Sequence, residues 1–189
     1  MSADLPFQPA TLAAERVKLR WIVATDAPAL FAIYSDPVVA RYLSRPAFTA
    51  IAQAEKLVAT ANACYADGSS VNFAVERRED AAMMGTCMLF RLHRESRRAE
   101  IGYSMARAYW GKGYMHEALG ALIDYAFGPL GLNRLEADID PRNESSAKSL
   151  ERLGFVKEGV LRERWVVAGE VSDTAYYGLL RKDWRRADG

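Results

Sequence analysis

Val17, Leu19 and Trp21 alternate with Lys18 and Arg20, the period of a half-buried strand. A helix should follow, with Thr25 as its N-cap and Pro28 in its first turn. Leu30, Ile33 and Tyr34 share one face of it, and Asp36-Pro37 stops it. Val38, Val39, Tyr42 and Leu43 predict a second short helix that ends before Pro46. From a Thr49 cap onward, Ala54, Leu57, Val58, Ala61, Cys64 and Tyr65 keep the 3.6-residue period until Gly68. Strands are then expected over 71–75, 84–92 and 100–105. The polar turns between them are too short for crossovers, so these strands form an antiparallel meander.

The pattern changes after Met105. Met115, Ala118, Leu119, Leu122, Ile123, Ala126 and Phe127 mark a helix over 115–127 that ends at Gly128-Pro129. Leu135, Ala137 and Ile139 alternate with acidic residues and stop at Pro141. A short helix over 145–153 ends at Gly154, and two last strands, 166–171 and 174–180, flank the Gly169 turn. A strand–helix–strand step requires a right-handed parallel crossover. The fold class is therefore α/β (mixed α+β): a mixed, mostly antiparallel sheet of about seven strands flanked by helices. Residues 1–14 read as a loosely held arm and 15–189 as a single domain.

Composition narrows the function. Lys plus Arg is 25 and Asp plus Glu is 24, a net charge of +1 that argues against a nucleic-acid partner. No run approaches about 18 apolar residues, so no membrane span is expected. The start of the chain lacks a basic stretch followed by an apolar one, so no secretory signal is expected and the protein is read as cytoplasmic. Cys64 and Cys87 read as buried reduced thiols, and neither has ligands at metal spacing.

The segment Trp110-Gly111-Lys112-Gly113-Tyr114-Met115 joins a strand to a helix. Two glycines two apart admit a ligand close to the backbone, and a helix start presents unpaired N–H groups. Together they suit an anion such as a pyrophosphate, or they form a tight turn before a core helix. A Walker A loop would need Ser or Thr where Tyr114 stands, and a Rossmann fingerprint would need Gly or Ala where His116 stands. Both fail. The second segment, Asn143-Glu144-Ser145-Ser146 through Leu153-Gly154-Phe155, is a capped amphipathic helix that also starts beside a strand edge. A ligand lying across both helix starts accounts for their shared polarity.

The chain resembles the GNAT family of N-acetyltransferases, in its RimJ/RimL-like branch. The resemblance rests on Glu100-Ile101-Gly102-Tyr103, on Trp110 to Met115 with Glu117-Ala118-Leu119, on Asn143 to Ser146 through Phe155, and on Asp173 with 177–184. It covers about residues 15–184 in one element order. The family's cofactor loop usually opens with Gln or Arg and has Gly or Ala at its sixth place, where this chain has Trp110 and Met115.

The resemblance implies acetyl-CoA as co-substrate, with no metal. Its pantetheine would pair with the backbone of Ser104, Met105 and Ala106. Its pyrophosphate would sit on amides of Gly111, Lys112, Gly113, Tyr114, Met115 and His116, with Asn143 and Ser146 as further contacts. Arg107, Lys112 and Lys148 are phosphate contacts or solvated charges. Glu100 stands where family members carry a catalytic glutamate; alternatively it is a strand carboxylate paired with Arg97, Arg98 or a backbone amide. Ser146 stands where this branch places a hydroxyl near the CoA sulfur, or it is a first-turn helix serine. A backbone N–H near Met105 is the oxyanion donor. Leu150 occupies the place where other members carry a tyrosine acid. Tyr103 and Tyr109 either substitute for that acid or are packing aromatics, and His93 and His116 are read as surface or helix-start residues.

The expected acceptor is a primary amine, on a peptide N-terminus or a small molecule, in a pocket formed by 41–48 and the 165–173 hairpin. Glu163, Glu170 and Asp173 would favour a cation there. A homodimer is left open. The rival reading is a regulatory module that holds an acyl-CoA without turnover.

Overall fold

The computed structural model describes residues 7–185. Its strands are β1 (Leu12–Ala13), β2 (Val17–Trp21), β3 (Val71–Arg77), β4 (Met83–His93), β5 (Arg98–Met105), β6 (Arg134–Ile139), β7 (Val156–Val167) and β8 (Glu170–Leu180). Its helices are α1 (Ala27–Ser35), α2 (Pro37–Ala40), α3 (Ile51–Asp67), α4 (Tyr114–Phe127) and α5 (Glu144–Arg152). The strands form one sheet in the order β1-β2-β3-β4-β5-β6-β8-β7. All neighbours are antiparallel except β5 and β6, which α4 connects as the crossover. Among the described residues no helix is long and apolar enough to cross a membrane.

Strand period two sends side chains to two helical layers. Val71, Phe73 and Val75 join the core under α4, built from Ala118, Leu119, Leu122 and Ile123. Ala74 faces the other way, onto Leu30, Ile33, Ala54 and Val58 of α1 and α3. Both layers are buried, which makes the central strands a platform for what lies at their ends.

The sheet has eight strands where about seven are expected. The additional one, β1, has two residues and pairs Leu12 with Leu19 and Ala13 with Lys18, too short for alternation to show. Residues 7–14 of the expected arm also make contacts with the domain. Phe7 is buried, and its N–H donates to the Tyr65 carbonyl at 2.9 Å; residues 1–6 lie outside the described residues, as do 186–189 at the end of the expected domain. The last hairpin turns at Ala168-Gly169, inside the strand expected over 166–171. Its first strand begins ten residues earlier, at Val156, because an exposed edge strand carries polar and apolar residues on both faces and loses its period.

Two caps also differ. Asp26 precedes α1, with its carboxylate held by Arg20 at 2.8 Å, and Thr25 lies in a 3-10 turn. Ala50 precedes α3, and the Gln53 side chain accepts from the N–H groups of Thr49 (2.7 Å) and Ala50 (3.0 Å) in place of a threonine cap.

Candidate active site

Strands β5 and β6 pair at Arg98–Arg134, Ala99–Leu135 and Glu100–Glu136, and no further. Beyond Glu100 they diverge. The gap opens into a cavity of about 650 Å³ lined by residues from both strands, from the α1–α3 side and from the last hairpin.

Glu100 sits at the point of divergence and is only 5% exposed. Its two carboxylate oxygens accept from Arg91 Nη1 at 2.9 and 3.0 Å. The expected partners Arg97 and Arg98 do not take it; Arg98 reaches Glu136 instead, at 3.0 Å. Arg91 occupies the register break between Phe90 and His93 with φ of 49°. That bulge re-aims its side chain toward Glu100, and no strand periodicity predicts it. A buried carboxylate needs such a partner.

The three backbone positions after it are unequally available. Ser104 is buried against the cavity. The Met105 carbonyl accepts from Trp110 Nε1 at 2.7 Å. Both Ala106 groups are committed: its N–H donates to the Met84 carbonyl (2.8 Å), and its carbonyl accepts from Tyr109 N–H (3.0 Å). Beneath them Gly85 has no room for a side chain, since a Cβ there would stand 2.3 Å from the Ser104 carbonyl oxygen.

The glycine loop has the conformation its composition suggests. Gly111 and Gly113 have φ of 71° and 80°, in the left-handed region that favours glycine. Glu117 N–H reaches the Gly113 carbonyl at 3.1 Å, closing the first turn of α4. The amides of Tyr114, Met115 and His116 precede it and have no intrahelical acceptor. One residue that the sequence reading missed secures this loop. Arg16 donates from Nη1 to the Lys112 carbonyl (3.1 Å) and from Nε to Glu117 (2.9 Å). Glu117 also accepts from the backbone N–H groups of Arg16 and Val17. The candidate outer cations all have local partners: Arg107 pairs with Asp36, Lys112 with the Ala108 carbonyl and Lys148 with Glu144.

The start of helix α5 lines the cavity through Asn143 and Ser146. Asn143 caps it through Oδ1, which accepts from Ser146 N–H at 3.2 Å and Ser145 Oγ at 2.9 Å. Ser146 is buried, and its Oγ lies 2.5 Å from the Tyr103 hydroxyl. Tyr103 thus packs and also bonds. Burial pushes its phenol up to about 12, against a smaller lowering by the Ser146 contact, so it carries its proton at neutral pH.

On the acceptor side, Glu170 lines the cavity but is paired with Arg142 at 2.5 Å. Glu163 and Asp173 are engaged with each other, the Glu163 N–H donating to Asp173 Oδ1 at 2.8 Å, and neither lines the cavity.

Residues 16–156 match the family described as "Acetyltransferase (GNAT) domain". The chain belongs to the GNAT acetyltransferase family.

The N-acetyltransferase p20 of Bacillus licheniformis, whose name carries the word uncharacterized, is 38% identical over 174 residues, 92% of this chain and 98% of that protein. The [Ribosomal protein uS5]-alanine N-acetyltransferase of Escherichia coli is 32% identical over 124 residues, 65% of this chain and 64% of that one. The structure of Mycobacterium smegmatis RimJ in complex with CoA-disulfide superposes with a TM-score of 0.86 at 25% identity, covering 94% of this chain and 90% of that one. The protein is an N-acetyltransferase by family.

Two features of this GNAT chain fit a CoA molecule. The diverging strands leave an open seam beside β5. The Gly111–Gly113 turn leaves space where Gly111 would carry a Cβ, directly before a row of helix-start amides.

Proposed function

We propose that the chain transfers the acetyl group of acetyl-CoA to a primary amine, a protein N-terminal α-amine or a small-molecule amine, by direct attack in a ternary complex. The observation that carries this reading is the seam between β5 and β6, with a buried carboxylate at its closed end and the Tyr103–Ser146 pair on its flank. Acetyl-CoA would supply a thioester carbonyl as the electrophile. Amides of Gly111 to His116 would hold its pyrophosphate, and the β5 backbone around Ser104 and Met105 its pantetheine. With both Ala106 groups committed, Ala106 would serve that contact through its position in the turn.

Glu100 is the base in this reading. An α-amine with a pKa of roughly 8 is largely protonated at neutral pH and must lose a proton to attack. Glu100 accepts it directly or through water, with Arg91 fixing the carboxylate. A backbone N–H near Met105 meets the negative charge that develops on the carbonyl oxygen. Ser146, hydrogen-bonded to a protonated Tyr103, delivers a proton to the departing thiolate. Cys87 is no nucleophile for a two-stage route, since it is buried and its thiol is pushed up by that burial. The specificity in the name of the E. coli relative favours a protein α-amine among the acceptors.

The test is mass spectrometry of an amine and peptide panel incubated with acetyl-CoA. A mass gain of one acetyl group on an acceptor supports the reading. CoA binding without any acetylated product supports the regulatory module instead. If Glu100→Gln keeps full turnover across pH 6–9, Glu100 is not the base.

A further inference from the structure

The charges that line the cavity are unequally spent. Among the described residues four arginines line it. Arg91 is paired with Glu100, and Arg142 with Asp140 (2.6 Å) and Glu170 (2.5 Å). Arg142, and beyond it Arg41, hold the Asp140 carboxyl below its usual range. The remaining carboxylate, Asp138, turns Oδ1 to Thr174 and Trp165 and keeps Oδ2 buried. Apart from Asp138 Oδ2, which has no hydrogen-bond partner among the described residues, the carboxylates that a polycation would meet in this cavity are already engaged.

Arg45 is different. Among the described residues it has no hydrogen-bond or ion-pair partner. Its guanidinium carbon lies 4.1 Å from the centre of the Tyr34 ring and 4.6 Å from that of Phe48, both rings being buried. Aromatic faces attract a cation but use none of its N–H groups. The five donors of a guanidinium point outward in its plane, in a fork that matches a carboxylate. Arg45 is therefore held half-buried in the cavity wall with its donors unspent.

Its position relative to the transfer point is also set. The Tyr34 hydroxyl lies 2.6 Å from Thr86 Oγ1, and Thr86 is the cross-strand partner of Ser104. A short chain of contacts thus runs from β5, beside the seam, through Thr86 and Tyr34 to Arg45.

We propose that Arg45 is a specificity-determining residue that receives an anionic group of the acceptor, so that the preferred acceptors are amines that also carry a carboxylate. This rests on the acetyl-transfer reading and names the substrate class of that same site.

The test uses matched acceptor pairs: amino acids against their amides, and dipeptides with glutamate against glutamine after the reacting residue. kcat/KM is measured for the wild type, Arg45→Gln and Arg45→Met, the last keeping an apolar stem on the two rings. The wild type is expected to favour the anionic member by about ten- to a hundredfold, as for a hydrogen-bonded charge. Either variant should abolish that preference by slowing the anionic member alone, with CoA affinity unchanged. Equal rates on both members, a preference that survives both substitutions, or a fall in CoA affinity each overturn it. If no acceptor is acetylated, the transfer reading fails separately. Calorimetric binding of the same pairs to the CoA-saturated protein then decides: Arg45-dependent preference for the anionic member supports the proposal, and equal binding overturns it.

Discussion

The Tyr103 hydroxyl and Ser146 Oγ lie 2.5 Å apart, joining β5 to the first turn of α5. Two hydroxyls share one hydrogen bond there, so one donates to the other and the pair keeps one proton to give. In the proposed mechanism the protonated Tyr103 donates to Ser146, which leaves the Ser146 proton to give toward the seam. Ser146→Ala should lower kcat by about 10²-fold, the low end for general-acid catalysis. Tyr103→Phe should cost less, and the double variant little more than Ser146→Ala, because residues that act as a unit are not additive. Steady-state kinetics with saturating acetyl-CoA checks it. Additive losses would mean that the two hydroxyls act separately.

Glu117 is the strap of the Gly111–Gly113 loop. It takes two backbone N–H groups and one guanidinium from the β2 side, while Arg16 also holds the Lys112 carbonyl. Glu117→Ala leaves those donors without their acceptor and should cost about 2 kcal/mol of stability. It should also weaken CoA binding, since the loop loses its tie to β2. Urea titration and calorimetry read the two effects. Unchanged CoA affinity in the folded variant would show that Arg16 does not shape the loop.

The two loop glycines should differ. An alanine at either pays the left-handed penalty of roughly 1–2 kcal/mol. At Gly111 nothing else obstructs it, whereas at Gly113 a Cβ meets Arg16 Nη2 at 3.2 Å. Gly113→Ala should therefore lower CoA affinity more than Gly111→Ala, by at least a few-fold in a direct titration. The reverse order would place the pyrophosphate nearer Gly111 than the helix start.

Much of this architecture is legible in the chain because strong periods report burial. Helices α3 and α4 bury one face each, so their hydrophobic spacing survives in the sequence, and β3 keeps its large apolar residues Val71, Phe73 and Val75 on the face under α4. The Asn143 cap has a local signal, whereas Glu100 and Ser146 are singled out by the family resemblance, and all three line the cavity. Arg91 and Arg16 are not found, because each acts at a distance. Arg91 reaches Glu100 only through a bulge, and Arg16 meets Glu117 only once β2 lies beside α4. Arg45 belongs with them: its free donors follow from where Tyr34 and Phe48 come together, and nothing in 41–48 announces that.

Alkaline stability gives an independent check on the buried phenols. Unfolded tyrosines titrate near 10. Burial pushes Tyr65 and Tyr103 up to about 12 in the folded protein. Below pH 10 both states carry these protons, and the two groups add no pH dependence. Between about pH 10 and 12 the unfolded chain releases them while the folded chain retains them, so stability falls as pH rises. Each phenol contributes a slope of about 1.4 kcal/mol per pH unit. Tyr103→Phe should lose some stability at pH 8 with its hydrogen bond, yet show a shallower fall from pH 10 to 11 than the wild type. Comparing the two chains cancels the lysines, which titrate in the same range. Chemical denaturation at fixed pH values measures the slopes, and parallel curves would show that Tyr103 is not desolvated beside Ser146.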